Sequence, residues 1–331
     1  MKVSIIIPVY NVSDYVERCL NSVMAQTYTD LECIIVDDCT PDDSVEKCER
    51  LIAKYNGPIE FKILHHEYNR GLSAARNTGT DAATGKFIYY LDSDDEITPD
   101  CFSLLAAQIE LHPAVELVQG GVKSIPYDPW FDLSYYQHPG FIDSNDWIRY
   151  NFFKSGEELP VMAWNKLIRK DFIETNHLSF KEGIIHEDEL WTLQLVKKLS
   201  RIAIIKQATY LYYRTDNSIM STTNKNRSAR NWMYITKCAL REVDRPYRRL
   251  QLYKYLWIFL DRFEYIYKTK EGIITAMASI ISLIHCGLQR LALKFIKTYM
   301  LLYIFKIQDL SKLKEYIEYR WDVESNRPTH S

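Results

Sequence analysis

Short apolar runs alternate with helix-patterned segments over the first 120 residues of the chain. The runs cover residues 3–7, 33–36, 61–64, 87–91 and 115–118. Between the first two runs, apolar residues recur at the three- and four-residue spacing of a helix that buries one face. Strands joined by helices predict a largely parallel sheet with right-handed crossovers and helices on its faces.

The pattern changes after residue 120. Residues 121–142 are rich in Pro, Tyr and Asp and have weak periodicity, which indicates a loop or short antiparallel strands. Helical patterns return at residues 144–153 and 186–199, and apolar runs follow at residues 201–205 and 209–213. The polar stretch from 215 to 228 has the composition of a linker. We therefore predict a domain boundary near residue 220.

Residues 221–331 predict helices, and their charge differs from that of the rest of the chain. They contain 20 Lys and Arg against 10 Asp and Glu, a net of +10, whereas residues 1–220 carry −12. Residues 273–284 are apolar nearly all round, but His285 and Arg290 follow closely. The run is thus shorter than the ~20 residues that a membrane span needs.

Residues 291–305 mix large apolar side chains with Lys294 and Lys297, as an interfacial amphipathic helix does. Basic helices of this kind predict contact with an anionic membrane surface. The alternative is that the helices pack on their neighbours or on a second subunit, as in a homo-oligomer, and that their charge is simply solvated.

The cysteines and the N-terminus bear on the compartment. The seven cysteines include no Cys-x-x-Cys spacing, and their odd number favours reduced thiols over a disulfide framework. The N-terminus lacks the apolar stretch and cleavage site of a signal peptide. We expect a cytoplasmic protein, which the basic helices could hold on the inner face of the cell membrane.

Three carboxylates, Asp92, Asp94 and Asp95, follow the strand predicted at residues 87–91. Ligands of open α/β sheets bind at the carboxyl ends of the strands. Carboxylates at i and i+2 can share one Mg²⁺ or Mn²⁺, which in turn bridges a substrate diphosphate. The alternative is a solvated acidic turn before a helix that Pro99 opens at its first position.

Two more strand ends carry residues suited to a nucleoside. The first strand leads into Pro8-Val9-Tyr10-Asn11, and the second ends at Asp37-Asp38. The Tyr10 ring can stack on a base, and Asp38 can accept a hydrogen bond from a pyrimidine N–H, although both are common turn residues. No Gly-x-Gly-x-x-Gly turn follows the first strand, so a dinucleotide fold of the NAD type is disfavoured.

Residues 69–79 read Asn-Arg-Gly-Leu-Ser-Ala-Ala-Arg-Asn-Thr-Gly. The glycines and small residues allow a helix to pack closely on the sheet, and its N-terminus together with Arg70 can face a diphosphate. The alternative is a purely structural role for the small residues, with Arg70 and Arg76 each on the surface.

Four motifs, in this order, resemble the signature of family 2 glycosyltransferases with the GT-A fold. They are Ile-Ile-Ile-Pro-Val-Tyr-Asn at 5–11, Val-Asp-Asp at 36–38, Asn-Arg-Gly-Leu-Ser-Ala-Ala-Arg-Asn at 69–77 and Asp-Ser-Asp-Asp at 92–95. The resemblance covers roughly residues 1–215. It implies a GT-A (Rossmann-like) mixed, mostly parallel sheet flanked by helices, with a C-terminal helical appendage. The nucleotide-binding half would end at about residue 120, and the acceptor half would be residues 121–220.

The resemblance also implies roles for the strand-end residues. The residues implied to bind the donor are Pro8, Tyr10, Asp38, Arg70 and Asp92. Asp94, together with Asp92, is implied to bind the divalent metal, Mn²⁺ or Mg²⁺. Asp95 is either a further metal ligand or an acid that leads into a helix.

Inverting transfer needs a general base, because the acceptor hydroxyl must lose a proton as it attacks the anomeric carbon. The segment His-Glu-Asp-Glu-Leu-Trp at 186–191 resembles the family's Glu-Asp motif at a helix start. The match makes Asp188 the base and gives Glu187 a role in orienting the acceptor or the metal. The alternative role for such acids is stabilisation of the helix dipole, worth ~0.3 to 1 kcal/mol.

Two further segments resemble parts of the family. Trp-Asn-Lys at 164–166 is common in bacterial members, and Tyr-Tyr-Arg at 212–214, followed by Ser218, resembles the segment after the last core strand. Arg214 would close over the diphosphate as the glycosidic bond breaks. The sugar or acceptor cleft is assigned to Trp164, Asn165, Lys166 and Trp191. For the first tryptophan, packing in the core is equally compatible with the sequence.

These features predict an inverting, metal-dependent glycosyltransferase that moves a sugar from a nucleotide-diphosphate sugar, with UDP as the expected nucleotide. The expected acceptor is a glycan or lipid-linked glycan of bacterial polysaccharide biosynthesis, and no nucleic acid partner is expected. The sequence has no Gln-x-x-Arg-Trp motif, which favours transfer of one sugar per encounter. The alternatives are a sugar-nucleotide pyrophosphorylase, which would need a Gly-rich basic loop after the first strand, and a non-catalytic nucleotide-sugar binding or scaffold protein.

Overall fold

The computed structural model of the chain describes residues 1–128, 140–154, 159–215, 224–241, 244 and 246–262, together with scattered positions between 274 and 323. The chain forms two compact units. The first comprises Met1–Ile148 and Glu157–Ser218, and the second comprises Arg149–Gly156 and Ile219–Ser331. The division into a catalytic part and a helical part near residue 220 stays a prediction.

Within the described residues, nine strands form one sheet. The strands are β1 Val3–Val9, β2 Leu31–Asp37, β3 Glu60–His65, β4 Phe87–Tyr90, β5 Glu96–Ile97, β6 Leu117–Ile125, β7 Gly140–Asp143, β8 Lys166–Arg169 and β9 Arg201–Tyr213. The helices are α1 Val16–Met24, α2 Ser44–Ile52, α3 Leu72–Ala82, α4 Cys101–Leu111, α5 Asn145–Lys154, α6 Lys170–Thr175, α7 Glu187–Val196, α8 Lys225–Arg241 and α9 Arg248–Arg262.

The order of the strands is β3-β2-β1-β4-β8-β6-β9-β5, and β7 also pairs with β9. Strands β1 to β4 run parallel to their neighbours within that group, and β6 is parallel to β9. Strand β8 is antiparallel to both β4 and β6, so it joins the two parallel groups. This arrangement confirms the predicted mixed, mostly parallel sheet flanked by helices.

Burial explains why the first strands read as continuous apolar runs. Every residue of β1 and β2 is buried, as expected for parallel strands covered by helices on both faces. Helix α3 lies especially close to the sheet, because Gly79 has no side chain and an added Cβ would overlap Ile6. The small residues predicted to allow close packing therefore do so at this position.

The structure corrects two local predictions. Pro99 does not open a helix at its first position: the short strand β5 follows the acidic residues, and α4 begins only at Cys101. The segment predicted as a loop or short antiparallel strands instead continues β6 to Ile125, in parallel pairing with β9. The antiparallel expectation holds only for β7, while residues 129–139 lie outside the described part of the chain.

Among the helices that the structure describes, none is both long and apolar enough to cross a membrane. Residues 297–305, which include Lys297 and most of the predicted interfacial segment, lie outside the described residues.

Candidate active site

The carboxyl ends of β1, β2 and β4 meet at one edge of the sheet. Parallel pairing of β1 with both neighbours aligns these ends, and backbone bonds continue past the strands from Leu91 N to Ile6 O and from Asp38 N to Val9 O. The predicted nucleoside residues and the predicted acidic tip therefore lie on the same edge.

Asp38 lies at the centre of the nucleoside side of this edge. Its carboxylate is buried and accepts hydrogen bonds from the backbone N–H groups of Arg70 at 2.8 Å and Gly71 at 2.7 Å. The ring of His66 lies 2.7 Å from the same carboxylate. Gly71 has a φ of 88°, a left-handed conformation that favours glycine, so Asp38 fixes a tight turn just before α3.

The other donor residues differ in exposure. Tyr10 is 47% exposed, which leaves a ring face open for stacking, whereas Pro8 is buried within β1. The Arg70 guanidinium pairs with Glu182 at 3.0 Å, and both side chains are exposed. Base binding by Tyr10 and Asp38 and diphosphate binding by Arg70 stay predictions.

Arg76 connects the acidic tip to the predicted catalytic helix. It lies on α3, its side chain is 1% exposed, and its Nη2 donates to Asp92 Oδ1 at 2.9 Å. Its Nη1 donates to Glu187 Oε1 and to Asp188 Oδ1, each at 2.8 Å. The sequence did not decide whether Arg76 lies on the surface. The one feature that indicated burial was that it is a single arginine among the small residues of a helix expected to pack against the sheet.

Burial and the neighbouring charges change the pKa values of groups in this cluster. Burial raises the pKa of Asp188, and the Arg76 guanidinium acts against that rise. Burial and the neighbouring Asp188 charge also raise the pKa of Glu187. Burial opposes the charge of Arg76 too, but the three carboxylates outweigh it and raise the pKa of Arg76 above its usual value. The cluster thus combines one permanent cation with two carboxyl groups, those of Glu187 and Asp188, that bind protons more readily than ordinary ones.

Asp188 has the geometry of a proton acceptor. Its Oδ1 is held by Arg76, and its Oδ2 accepts a hydrogen bond from Ala163 N at 3.1 Å. The carboxylate is partly exposed, and Oδ2 keeps a second lone pair. A hydroxyl that approaches this oxygen could therefore pass its proton to an oriented carboxylate.

The three acidic residues after β4 do different things. Burial, followed by the Asp92 charge, raises the pKa of Asp94 to about 6, and the carboxylate accepts a hydrogen bond from Thr215 Oγ1 at 3.3 Å. Asp95 is 1% exposed and accepts from Tyr210 OH and Tyr213 N, each at 2.7 Å. Both Asp95 oxygens accept hydrogen bonds from the end of β9, and metal binding by Asp95 stays a prediction.

The remaining acids fit a metal that is held mainly by its substrate. Among the residues with described positions, no three His, Cys, Asp or Glu side chains converge as they would around a closed metal site. Mg²⁺ in particular is usually bound through one or two carboxylates plus substrate phosphates and water. Asp94 can supply such a carboxylate, and Asp92 has one oxygen beyond the one that Arg76 holds.

Asn165 does not line a cleft, which corrects its predicted role. It is completely buried and has a left-handed φ of 59°. Its Nδ2 donates to Gly120 O and Gly121 O at 2.7 and 2.9 Å. Its Oδ1 accepts from Tyr89 OH and Thr209 Oγ1 at 3.1 and 2.7 Å. All of its hydrogen-bonding positions are used inside the core.

The other residues assigned to the cleft are also core residues. Trp164 stacks on Tyr210, with ring centroids 4.4 Å apart, and Trp191 stacks on Phe180 at 4.7 Å. Both tryptophans are nearly fully buried, and Lys166 is completely buried. Burial of these three side chains does not support their predicted contact with sugar or acceptor, which stays a prediction.

Arg214 follows β9 and is exposed. Its guanidinium lies 3.5 Å from Asp128, and its backbone N–H donates to Ile125 O at 3.1 Å. Closure of Arg214 over a diphosphate stays a prediction, and Ser218 lies outside the described residues.

Comparison with known sequences places the chain in a family. The family model described as glycosyl transferase family 2 matches residues 4–176, just over half of the chain. The uncharacterized glycosyltransferase YibD of Escherichia coli K12 is 32% identical over 262 residues, which cover 74% of this chain and 72% of YibD. TarS of Staphylococcus aureus, a poly(ribitol-phosphate) beta-N-acetylglucosaminyltransferase, is 27% identical over 220 residues, covering 64% of this chain and 35% of TarS.

Solved structures support the fold. Residues 1–349 of TarS, crystallised with UDP-GlcNAc, match with a TM-score of 0.68 at 22% identity, covering 97% of this chain and 92% of that one. The mannosyltransferase PcManGT of Pyrobaculum calidifontis, in complex with GDP-Man and Mn²⁺, matches with a TM-score of 0.56 at 16% identity, covering 98% and 88%. With the family model and YibD, the conclusion is that this chain belongs to glycosyl transferase family 2.

Proposed function

We propose that this glycosyltransferase moves a sugar from a UDP-sugar to a hydroxyl of a glycan or lipid-linked glycan in polysaccharide biosynthesis, with inversion at the anomeric carbon. The observation that carries the proposal is the Arg76 cluster, in which one guanidinium joins Asp92 of the predicted donor site to Asp188. TarS supports the donor and the stereochemistry, because it was crystallised with the α-linked donor UDP-GlcNAc and is a beta-transferase.

The proposed reaction is a single displacement. The acceptor oxygen forms a bond to the anomeric carbon as the bond to the diphosphate breaks, and the diphosphate leaves with the electron pair. Asp188 takes the hydroxyl proton at Oδ2, while Arg76 holds Oδ1 and fixes the direction of the carboxylate. Glu187, held by the same guanidinium, orients the site beside the base.

Asp94, together with Asp92, is the proposed holder of Mn²⁺ or Mg²⁺. A bound divalent ion would offset the charge of the diphosphate. Two observations support this assignment: the raised pKa of Asp94 beside Asp92, which a cation would relieve, and the Mn²⁺ present in PcManGT.

A hydrolysis screen tests the donor and the metal together. The enzyme is incubated with Mn²⁺ and a panel of UDP-, GDP-, dTDP- and CMP-sugars, and free nucleotide is measured, since slow transfer to water requires no known acceptor. We expect release of UDP from at least one UDP-sugar. EDTA should abolish this release, and added Mn²⁺ or Mg²⁺ should restore it, because the diphosphate charge is otherwise uncompensated.

Other outcomes of the screen would contradict the proposal in distinct ways. Release of GDP alone would overturn the nucleotide, and hydrolysis that persists in EDTA would overturn the metal role. Formation of a nucleoside triphosphate from a nucleotide sugar and pyrophosphate would show a pyrophosphorylase instead. Tight nucleotide-sugar binding without turnover, with or without candidate acceptors, would indicate a binding or scaffold protein.

We further propose that the second unit contacts an anionic lipid surface. Its sequence carries the +10 charge of residues 221–331. Ile274, Met277 and Ile281, spaced as on one helix face, are 40%, 58% and 51% exposed, whereas Ala276 is buried. Exposed apolar side chains on a basic helical surface are typical of interfacial binding.

Flotation with vesicles of phosphatidylserine and phosphatidylcholine tests this contact. We expect Met277→Asp to reduce the floated fraction at least about threefold, because a carboxylate both removes apolar contact and repels anionic lipid. The matched control is Leu111→Asp, which changes a residue 68% exposed on α4 in the other unit and should float like the wild type. Unchanged flotation of Met277→Asp, or a dimer in light scattering that this substitution dissociates, would contradict membrane contact.

A further inference from the structure

The predicted base is contacted by a short segment just before the Trp-Asn-Lys residues 164–166. Ala163 N donates to Asp188 Oδ2 at 3.1 Å. This oxygen is the one that Arg76 leaves available. The position of residues 160–163, which we call the base-support segment, therefore decides where a hydrogen-bond donor meets the base.

The base-support segment is anchored from two sides, through the backbone carbonyls of its first three residues. From β8, Lys166 Nζ donates to Pro160 O at 2.8 Å and also to Met162 O. From α7, Thr192 Oγ1 donates to Val161 O at 2.7 Å. The helix that carries Asp188 and the strand that carries Lys166 thus hold the same four residues.

A fully buried lysine needs an explanation. Lys166 is 0% exposed, and burial of an ammonium group is costly unless polar partners compensate for lost water. The two carbonyls supply part of that compensation. Burial lowers the pKa of Lys166 to about 7, and the Asp188 carboxylate acts in the opposite direction. Lys166 in turn acts against the rise in the pKa of Asp188 that burial causes. The two groups therefore interact electrostatically as well as through the base-support segment.

We propose that Lys166 is a positioning residue for the base: it fixes the base-support segment so that Ala163 N–H binds Asp188 Oδ2. The proposal rests on the proposed function of Asp188 as the base. It gives Lys166 a part in the reaction without contact with sugar or acceptor.

The test is Lys166→Met, which keeps an unbranched apolar side chain and removes the donor. With the acceptor identified, we expect kcat for transfer to fall about 10- to 100-fold, since small misplacements of catalytic groups have effects of this size. The KM for the donor should stay within about twofold, because Lys166 does not contact the donor. The acidic limb of the kcat profile should move to higher pH, because Asp188 loses a nearby cation and an oriented N–H donor.

Two further variants separate positioning from general loss of structure. Thr192→Val is nearly isosteric, removes only the anchor on Val161 and keeps the Lys166 charge, so kcat should fall less while the acidic limb moves little. Lys170→Met is the matched control, because Lys170 Nζ donates to Ala83 O at 2.7 Å away from the base. It should leave kcat and its pH profile unchanged. Far-UV circular dichroism and thermal melting check that each variant is folded.

The proposal would be overturned if Lys166→Met folds and has both the kcat and the acidic limb of the kcat–pH profile of the wild type. If Lys166→Met does not fold, Thr192→Val decides: an unchanged kcat in that variant would also overturn the anchoring role. Failure of the proposed function looks different, since the wild type would then release no nucleotide from any sugar donor, or Asp188→Asn would keep full transfer activity.

Discussion

Asp188→Asn is expected to lower kcat for sugar transfer about 10³-fold, within the range that a general base contributes. Asparagine keeps the size of the side chain and can still accept the Ala163 N–H, but its amide cannot take a proton at neutral pH. The binding constant for UDP, measured by calorimetry, should change less than about threefold, because the proposed role of Asp188 is to take a proton from the acceptor and not to bind the nucleotide. Loss of rate without loss of donor binding is the expected signature of a missing base.

The pH profile gives a second measurement on the same variant. Burial raises the pKa of Asp188, so the acidic limb of the wild-type kcat profile should lie above the ordinary Asp value of ~3.9. Activity should fall as the pH drops through that raised pKa, because the carboxylate is the active form. The limb should be absent in Asp188→Asn. The control is Asp171→Asn, at an exposed residue paired with Arg169. If folded Asp188→Asn keeps more than a tenth of the wild-type kcat, the base assignment is ruled out.

The residues at this edge of the sheet could be predicted from the pattern of apolar runs and from the rule that ligands of open α/β sheets bind at the carboxyl ends of the strands. Apolar runs identified β1, β2 and β4, and parallel strands bring their carboxyl ends together, so Tyr10, Asp38 and Asp92 could be placed on one edge before any coordinates. The partners of these residues could not be predicted. Arg76 and Glu187 are 111 positions apart, and no periodicity reports a contact over that distance.

The sequence did not predict that the residues assigned to the cleft are buried in the core. Polar side chains are mostly exposed in proteins, and the sequence gives no reason to bury Asn165. Gly120 supplies the reason in the structure: an added Cβ there would overlap Thr209, so the missing side chain makes room for the buried hydrogen bonds around Asn165. Asp95 is comparable, since its partners Tyr210 and Tyr213 follow 115 and 118 positions later. Pairings between distant segments decided each of these roles.

Arg76→Met is expected to destabilise the first unit by about 3–5 kcal/mol near pH 8, the cost of leaving buried charges without their partner. Asp92, Glu187 and Asp188 would then face one another without the cation that links them. Transfer should also be lost, because Asp188 Oδ1 is no longer held. Urea denaturation at fixed pH measures the change in the free energy of unfolding, and Arg169→Met, at a partly exposed pair with Asp171, should cost less than about 1 kcal/mol.

The pH dependence distinguishes this electrostatic cost from a cavity. Without Arg76, the folded-state pKa values of the buried carboxyl groups should lie above their unfolded values, so protonation favours the folded state as the pH falls. The destabilisation should therefore be smaller at pH 5 than at pH 8, whereas a cavity would cost the same at both. Glu187→Gln, added to Arg76→Met, should recover part of the loss at pH 8, because it removes one of the three uncompensated charges. A loss that is equal at both pH values and is not reduced by Glu187→Gln would mean that Arg76 stabilises the fold by packing, and that the carboxylates do not depend on its charge.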